Sequence, residues 1–220
     1  MAASPKPMAL PELRPVTALS GVGPALAEKL AKLGVFTVQD VLFLLPLRYE
    51  DRTRVVPMGS LQAGDRAVVE GEVQLAEVVF RGRRQLICRI ADGSGFLTLR
   101  FFHFSGSQQA ALARGVRIRC FGEARRGPLG LEIVHPEYRR VDTEATGDTE
   151  DALTPVYPAT EGVAQARLRR LATLALKELK GEGVRDWLPS GLLKGFDMPT
   201  LASALQYVHR PPPDASVELL

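Results

Sequence analysis

The spacing of apolar residues indicates helices near the start of the chain and again towards its end. Three leucines recur at helical spacing between Pro24, which suits a helix start, and Gly34, which suits a helix end. Thr37 is a preferred helix cap and precedes a second apolar stretch over residues 38–45. Residues 163–180 show helical spacing once more. The pattern therefore predicts short helices in the N-terminal part and a longer helix in the C-terminal part.

Between residues 61 and 136 the pattern changes to an alternation of apolar and polar positions, which is typical of half-buried strands. The run Asp92-Gly93-Ser94-Gly95 is a strong hairpin-turn signal between two of these strands. One short helix is predicted over residues 108–113. The predicted strands cover residues 67–75, 86–90, 96–104, 116–120 and 131–134.

Five strands with one helix between the third and the fourth follow the order of an OB-fold barrel. We therefore predict an α+β protein. Its centre is a five-stranded OB-fold β-barrel, flanked by short N-terminal helices and by a C-terminal helical segment. Another small barrel or an open five-stranded sheet would also fit the pattern.

Composition divides the chain into four predicted regions. Residues 1–60 form an N-terminal helical region, of which residues 1–12 are rich in proline and are expected to be a loose arm. Residues 61–140 form the predicted barrel. Residues 141–154 hold five acidic residues and no basic one, which suggests an exposed linker. Residues 155–220 form a second helical segment.

The charge of the chain is concentrated in the predicted barrel. The formal net charge is only +3, but residues 61–140 carry 13 basic residues against 8 acidic ones, and every basic residue there is arginine. Arginine binds phosphate through two hydrogen bonds and stacks on bases, so this pattern favours nucleic acid as the partner.

Several other classes of function lack support in the sequence. Cys88 and Cys120 cannot form a disulfide framework and do not have metal-ligand spacing, and the three histidines are scattered. We expect both cysteines to be small core residues, no metal site, no catalytic residue and a cytoplasmic location. Neither a secretory signal nor a membrane-spanning run is expected.

The alternation of side chains assigns a face to each residue of the third predicted strand. Leu97, Leu99 and Phe101 are expected to fill the barrel, whereas Thr98, Arg100 and Phe102 are expected to face outward. Arg89 on the second strand is expected on the same outer face. The loops on either side carry further candidate DNA-binding residues, namely Arg81, Arg83, Arg84, Arg125 and Arg126.

An aromatic ring among arginines suits the stacking of a base beside a phosphate backbone. The outer position of Phe102 makes it the preferred stacking residue, with Phe101 expected mainly in the core. The alternative is that Phe102 packs under a neighbouring helix and that the arginines form a solvated face.

The N-terminal helices contain a second candidate contact. The residues Gly21-Val22-Gly23 before the first predicted helix resemble the hairpin of a helix-hairpin-helix element. Its glycines would let the backbone approach a phosphate. A tight turn that only packs two helices is the alternative.

Several segments together resemble one family, the N-terminal region of the ATP-dependent branch-migrating DNA helicase RecG. They occur in the family's order and cover most of the chain. The segments are LSGVG at residues 19–23, VQDVLFLLPLRYEDRT at 38–53, IADGSG at 90–95, RFFHF at 100–104, HPEY at 135–138 and LTPVYPATEG at 153–162.

The resemblance implies a wedge domain that recognises branched DNA, such as stalled replication forks and Holliday junctions, and splits its arms during fork reversal and branch migration. The family's base-stacking aromatics correspond to Phe101 and Phe102. Some members have a second stacking aromatic four residues further on, where this chain has Gly106.

The chain has no GxxxxGK[ST] loop for binding nucleotide phosphates. The resemblance therefore implies that ATP and Mg²⁺ belong to motor domains outside this chain. We expect the 220 residues to have no ATPase or helicase activity alone. The expected partners are branched DNA and the motor domains of the full-length protein, and the expected state is a monomer.

Two other functions remain open from the sequence. One is a freestanding OB-fold module that binds single strands. The other is a protein-interaction barrel whose arginine face docks on an acidic partner.

Overall fold

The computed structural model describes residues 13–141, 152–178, 184 and 186–216. The chain divides into two compact units: residues 1–51 with 152–220 form one, and residues 52–151 form the other. We call them the helical unit and the sheet unit. The predicted loose arm 1–12 and most of the predicted acidic linker, 142–151, lie outside the described residues.

The secondary structure follows the predicted change from helices to strands and back to helices. The described elements are α1 Pro24–Ala31, α2 Val38–Phe43, β1 Arg48–Glu50, β2 Arg66–Arg81, β3 Arg83–Ala91, β4 Phe96–Phe101, α3 Gly106–Ala111, β5 Arg117–Glu123, β6 Arg125–Gly127, β7 Gly130–Val134, β8 Glu137–Arg140, β9 Thr154–Val156, α4 Gln165–Glu178, α5 Ser190–Gly195 and α6 Leu201–His209.

Residues from both ends of the chain share the core of the helical unit. Leu30, Leu42 and Leu171 are buried in one cluster, and β1 pairs with β9 in an antiparallel ladder. Buried His209 of α6 donates from Nε2 to the Leu42 carbonyl at 2.7 Å and accepts from the Tyr157 hydroxyl at 2.8 Å. Short helices such as α1 and α2 cannot bury their apolar faces alone. Residues 1–51 and 152–220 therefore contribute to the same compact unit.

The sheet unit contains seven strands in the order β6-β7-β4-β3-β2-β5-β8. The five predicted strands correspond to β2, β3, β4, β5 and β7, and their neighbours are those of an OB-fold, with β4 and β7 parallel. The additional strands β6 and β8 lie at the two edges. The α+β class is confirmed, while the number of strands is larger than predicted.

The expected closed barrel is replaced by a sheet that curls without a closing ladder among the described residues. Gly122 of β5 lies directly against the Ile133 side chain of β7, so that a Cβ atom at position 122 would collide with it. The two sides of the curled sheet therefore meet through packing, not through backbone hydrogen bonds.

The predicted inner face of β4 forms the core of the sheet unit. Leu97, Leu99 and Phe101 are at most 1% exposed. Cys88 and Cys120 are buried in the same cluster, and burial raises the pKa of both thiols to about 12. Both cysteines are therefore small core residues that stay protonated at neutral pH.

Strand β2 extends much further than predicted. It continues for 16 residues, past an irregularity between Val73 and Leu75, and pairs with β3 up to Arg81 and Arg83. Gly82 forms the turn with a φ of 73°, which glycine adopts without strain. The sheet unit therefore carries a long hairpin that ends in three arginines.

Among the described residues, no helix is long and apolar enough to cross a membrane.

Replacing Phe101 by alanine is predicted to lower the free energy of unfolding by about 3–5 kcal/mol, because it leaves a cavity where a buried ring was. The Phe101 ring is 1% exposed and packs edge-on against Tyr138, with ring centres 5.8 Å apart. Chemical denaturation measures the loss. Phe102→Ala is the matched control and should cost less, since Phe102 is only half-buried. The opposite order of the two variants would contradict the assignment of faces.

Candidate nucleic-acid interface

Phe102 lies at the end of β4, directly beneath the turn of the β2–β3 hairpin. Its ring is half-buried, and the Arg83 guanidinium carbon lies 3.8 Å from the ring centre. Its backbone N–H donates to Nε2 of His135 at 3.2 Å. The ring is thus held between a cation from the hairpin and an imidazole from the segment after β7.

His135 is a functional candidate that the sequence reasoning did not single out. It has a φ of 48°, and its ring centre lies 5.8 Å from that of Phe102 and 6.0 Å from that of His103. Burial, together with the charges of His103 and Arg83, lowers the pKa of His135 below its usual value. The imidazole therefore stays neutral at pH 7 and keeps Nε2 as an acceptor for Phe102. His135 is the first residue of the HPEY motif, which the sequence analysis used only as part of the family resemblance. That motif is the feature of the sequence that could have identified this histidine.

Arg84 lies on the opposite side of the hairpin from Arg83, as the alternation of β3 requires. Its guanidinium carbon is 4.5 Å from the ring centre of Phe104. Arg83 and Arg84 are both exposed, whereas of Arg81 only the backbone is described. The hairpin tip therefore presents exposed cations to both sides.

Arg100 is not the exposed residue that the alternation predicted. It is 8% exposed, donates from Nε to Glu132 at 2.8 Å, and donates from its terminal nitrogen to Gln85 at 2.8 Å. The parallel neighbour β7 places Glu132 on the same face, opposite Thr98. Arg100 is on the predicted face, but the carboxylate pairs it and removes it from the exposed surface.

Arg89 does not join Phe102 either. Its guanidinium carbon lies 5.1 Å from the ring centre of Phe96, and the residue is half-buried. Arg89 pairs with Thr98, four residues before Phe102 along the neighbouring strand. At about 3.3 Å per residue, this separation is roughly 13 Å.

Arg125 and Arg126 lie on the edge strand β6, away from the β2–β3 turn. Arg125 donates to Glu132 at 3.2 Å, and its side chain is half exposed, while Arg126 is exposed. Since Arg125 is opposite Glu132, which is opposite Thr98, these arginines lie along the sheet and not beside Phe102. Arg83 and Arg125 therefore lie at different ends of one face of the sheet.

The helical unit contains the second candidate contact. Gly21 is exposed with a φ of 85°, whereas the Val22 side chain is buried and anchors the turn in the core. An open groove of about 350 Å³ is lined by Ser20, Gly21, Arg167 and Arg170. The two arginines are one turn apart on α4 and both are exposed. The turn thus lies beside Arg167 and Arg170 of a helix distant in the sequence, and the residues of the turn alone do not predict this.

Metal binding has no support in the described part of the chain. No group of three or more histidine, cysteine, aspartate or glutamate side chains there is arranged to hold an ion.

Known proteins are similar in sequence to most of this chain. The ATP-dependent DNA helicase RecG of Escherichia coli K12 is 51% identical over 199 residues, which cover 90% of this chain and 28% of that protein. RecG of Pasteurella multocida is 42% identical over 206 residues, covering 94% of this chain and 29% of that protein. The chain thus spans under a third of the length of these relatives.

A solved structure of RecG bound to a three-way DNA junction has a similar fold. It aligns with a TM-score of 0.73 and 23% identity, over 96% of this chain and 28% of that chain. The family model of the RecG wedge domain matches residues 15–178, which include the hairpin, Phe102, His135 and the Gly21 turn. The chain belongs to the RecG wedge domain family.

Proposed function

We propose that this chain is the branched-DNA-binding region of a RecG-type helicase. In this proposal the sheet unit acts as a wedge where the strands of a duplex part, at stalled forks and Holliday junctions. The observation that carries the proposal is the Phe102 ring, which the Arg83 guanidinium covers at 3.8 Å at the end of an arginine-rich hairpin. The family membership and the junction-bound relative support the same conclusion.

The chemistry of this site suits an unpaired base next to a phosphate. Phe102 and Arg83 together offer a flat, cationic surface, and both aromatic rings and guanidinium planes stack on bases without reading sequence. Exposed Arg83 and Arg84 supply positive charge for the backbone of a strand leaving the duplex. Since Arg100 is paired with Glu132, we assign it to holding β4 against β7 and not to DNA.

We also propose a phosphate contact at the Gly21 turn. The exposed guanidinium groups of Arg167 and Arg170 line the same groove as the turn, and arginine is the side chain best suited to phosphate oxygens. In this proposal Gly21 and Gly23 contribute backbone N–H groups, and Val22 anchors the turn. The contact would be to the DNA backbone and would not depend on sequence.

The activity of the whole protein is part of the proposal. Hydrolysis of ATP with Mg²⁺, fork reversal and branch migration are assigned to motor domains outside these 220 residues, with which this region works. We propose that the chain acts as a monomer in the cytoplasm, where bacterial DNA is processed. That the relatives are DNA helicases of bacteria supports the proposed location.

A competition binding assay tests the proposed function. The chain should prefer three-way and four-way junctions over single-stranded and duplex DNA of equal length, because only branched DNA presents parted strands to the wedge. Affinity should fall steeply as salt is raised, since arginine–phosphate contacts release counterions. Equal binding of a linear single strand would favour a freestanding single-strand-binding module. Weak, salt-insensitive binding to all DNA would favour a protein-interaction barrel.

Replacing Phe102 by alanine is predicted to weaken junction binding by the stacking energy of one base, about 1–3 kcal/mol. Fluorescence anisotropy with a labelled three-way junction measures the effect. Phe196→Ala is the matched control, because Phe196 is 73% exposed but belongs to the helical unit. If both variants bind as the wild type does, Phe102 is not a stacking residue.

Stability is predicted to fall in mild acid through His135. Its pKa is lowered in the folded chain from 6.5, so the unfolded chain takes up a proton first and stability is lost as the pH falls below about 6.5. His135→Gln keeps an acceptor near Phe102 but does not titrate. The free energy of unfolding should therefore fall less between pH 7 and pH 5 in the variant. His209 also has a lowered pKa but titrates in both proteins. Identical pH profiles would contradict the assignment.

A further inference from the structure

Phe80 is an aromatic residue at the hairpin tip, and a requirement of folding does not explain why its ring is exposed. Its ring is 77% exposed, although it lies in a regular strand one residue before the arginine-rich turn. Burial of a phenylalanine ring is among the larger contributions to stability, and Phe80 contributes little of it. The most exposed part of the sheet unit's hairpin thus carries a large apolar surface in water.

Phe80 and Phe102 belong to opposite faces of the hairpin. Phe80 is directly opposite Arg84, so these two side chains share a face, and Arg84 covers the Phe104 ring on that side. Arg83 lies one residue away along β3 and therefore points to the other face, where it covers Phe102. Among the described side chains, each face of the tip consequently has at least one exposed or half-buried aromatic ring beside a guanidinium group.

We propose that the two faces of the β2–β3 hairpin tip each receive one strand of a parted duplex. A base of one strand stacks on Phe80 beside Arg84, and a base of the other strand stacks on Phe102 beside Arg83. This inference rests on the proposed binding of branched DNA and specifies how the two strands are held apart.

The charge of the hairpin favours nucleic acid over an apolar protein surface as the occupant of Phe80. Residues 78–91 contain four arginines and no acidic residue. A ring surrounded by cations suits a base attached to phosphates, because base and backbone are then recognised by neighbouring groups. A protein partner that buried Phe80 alone would have to desolvate or pair these guanidinium groups as well.

Phe80→Ala tests the inference with a three-way junction that carries 2-aminopurine next to the branch, in either of the two parting strands. The variant should bind the junction about 5- to 150-fold more weakly, the effect of losing one stacked base. It should also change the fluorescence of the probe in one strand only, whereas Phe102→Ala changes that of the other strand. Phe80→Trp, which keeps a stacking ring, should restore binding.

A double variant that combines Phe80→Ala with Phe102→Ala tests whether the two rings hold different strands or the same strand. If Phe80 and Phe102 hold different strands, their losses multiply, because independent sites have additive free energies. Losses that do not multiply, or both variants affecting the same probe, would overturn the two-face arrangement. Wild-type binding by Phe80→Ala with weakened binding by Phe102→Ala would overturn this inference alone. Wild-type binding by both would overturn the stacking role of both rings, whereas a wild-type chain that binds linear DNA as well as junctions would overturn the proposed function. Phe196→Ala again serves as the control for an exposed ring.

Thermal unfolding tests whether weaker binding by Phe80→Ala results only from a less stable protein. Because the Phe80 ring is largely exposed, its removal should leave the unfolding temperature close to that of the wild type. A large drop would mean that the ring supports the hairpin, and the inference would then fail.

Discussion

The alternation of side chains along β4 is the constraint on which the site depends. Two adjacent phenylalanines cannot both point into the core of a regular strand, so Phe101 is buried and Phe102 emerges at the end of the strand. Burial of Phe101 against Tyr138 fixes the register, and that register places Phe102 under Arg83. A shift of one residue would exchange the two positions, removing the core contact of Phe101 and the contact between Phe102 and Arg83 together.

Two sets of arginines in the sheet unit have different surroundings. Arg100 and Arg125 share Glu132, and Arg117 and Arg119 share Glu70, so these cations join neighbouring strands. Arg100 is the buried member of this set, and a buried cation without a partner would be very costly, so Glu132 supplies the charge that offsets it. The arginines of the hairpin tip lie in a stretch, residues 78–91, that contains no acidic residue, and Arg83 and Arg84 are exposed. The exposed arginines of the tip therefore form a cationic patch beside the candidate site, whereas the arginines paired with Glu132 and Glu70 add less positive charge to the surface than the composition implies.

The hairpin connects fold and function through its length. Pairing of β2 with β3 as far as Arg81 and Arg83 carries the turn to the end of β4, where Phe102 and His135 lie. Two short strands would have ended well before that point. The same length leaves Phe80 beyond the core, which explains why an apolar ring on the inward-facing side of a strand is exposed.

The sequence by itself determined the α+β class, the OB-like order of the strands, the inward positions of Leu97 and Phe101, and the turn with Arg83 and Arg84. These features follow from local spacing and from turn chemistry, which neighbouring residues decide. Only the tertiary structure decided that Glu132 pairs with Arg100, that His135 holds Phe102, and that Arg167 faces the Gly21 turn. Each of these contacts joins residues more than 30 positions apart, and the side chain that neutralises or supports a residue is set by which strands and helices become neighbours. Local pattern carries no information on that choice, because it depends on how the whole sheet curls and on which helices share a core.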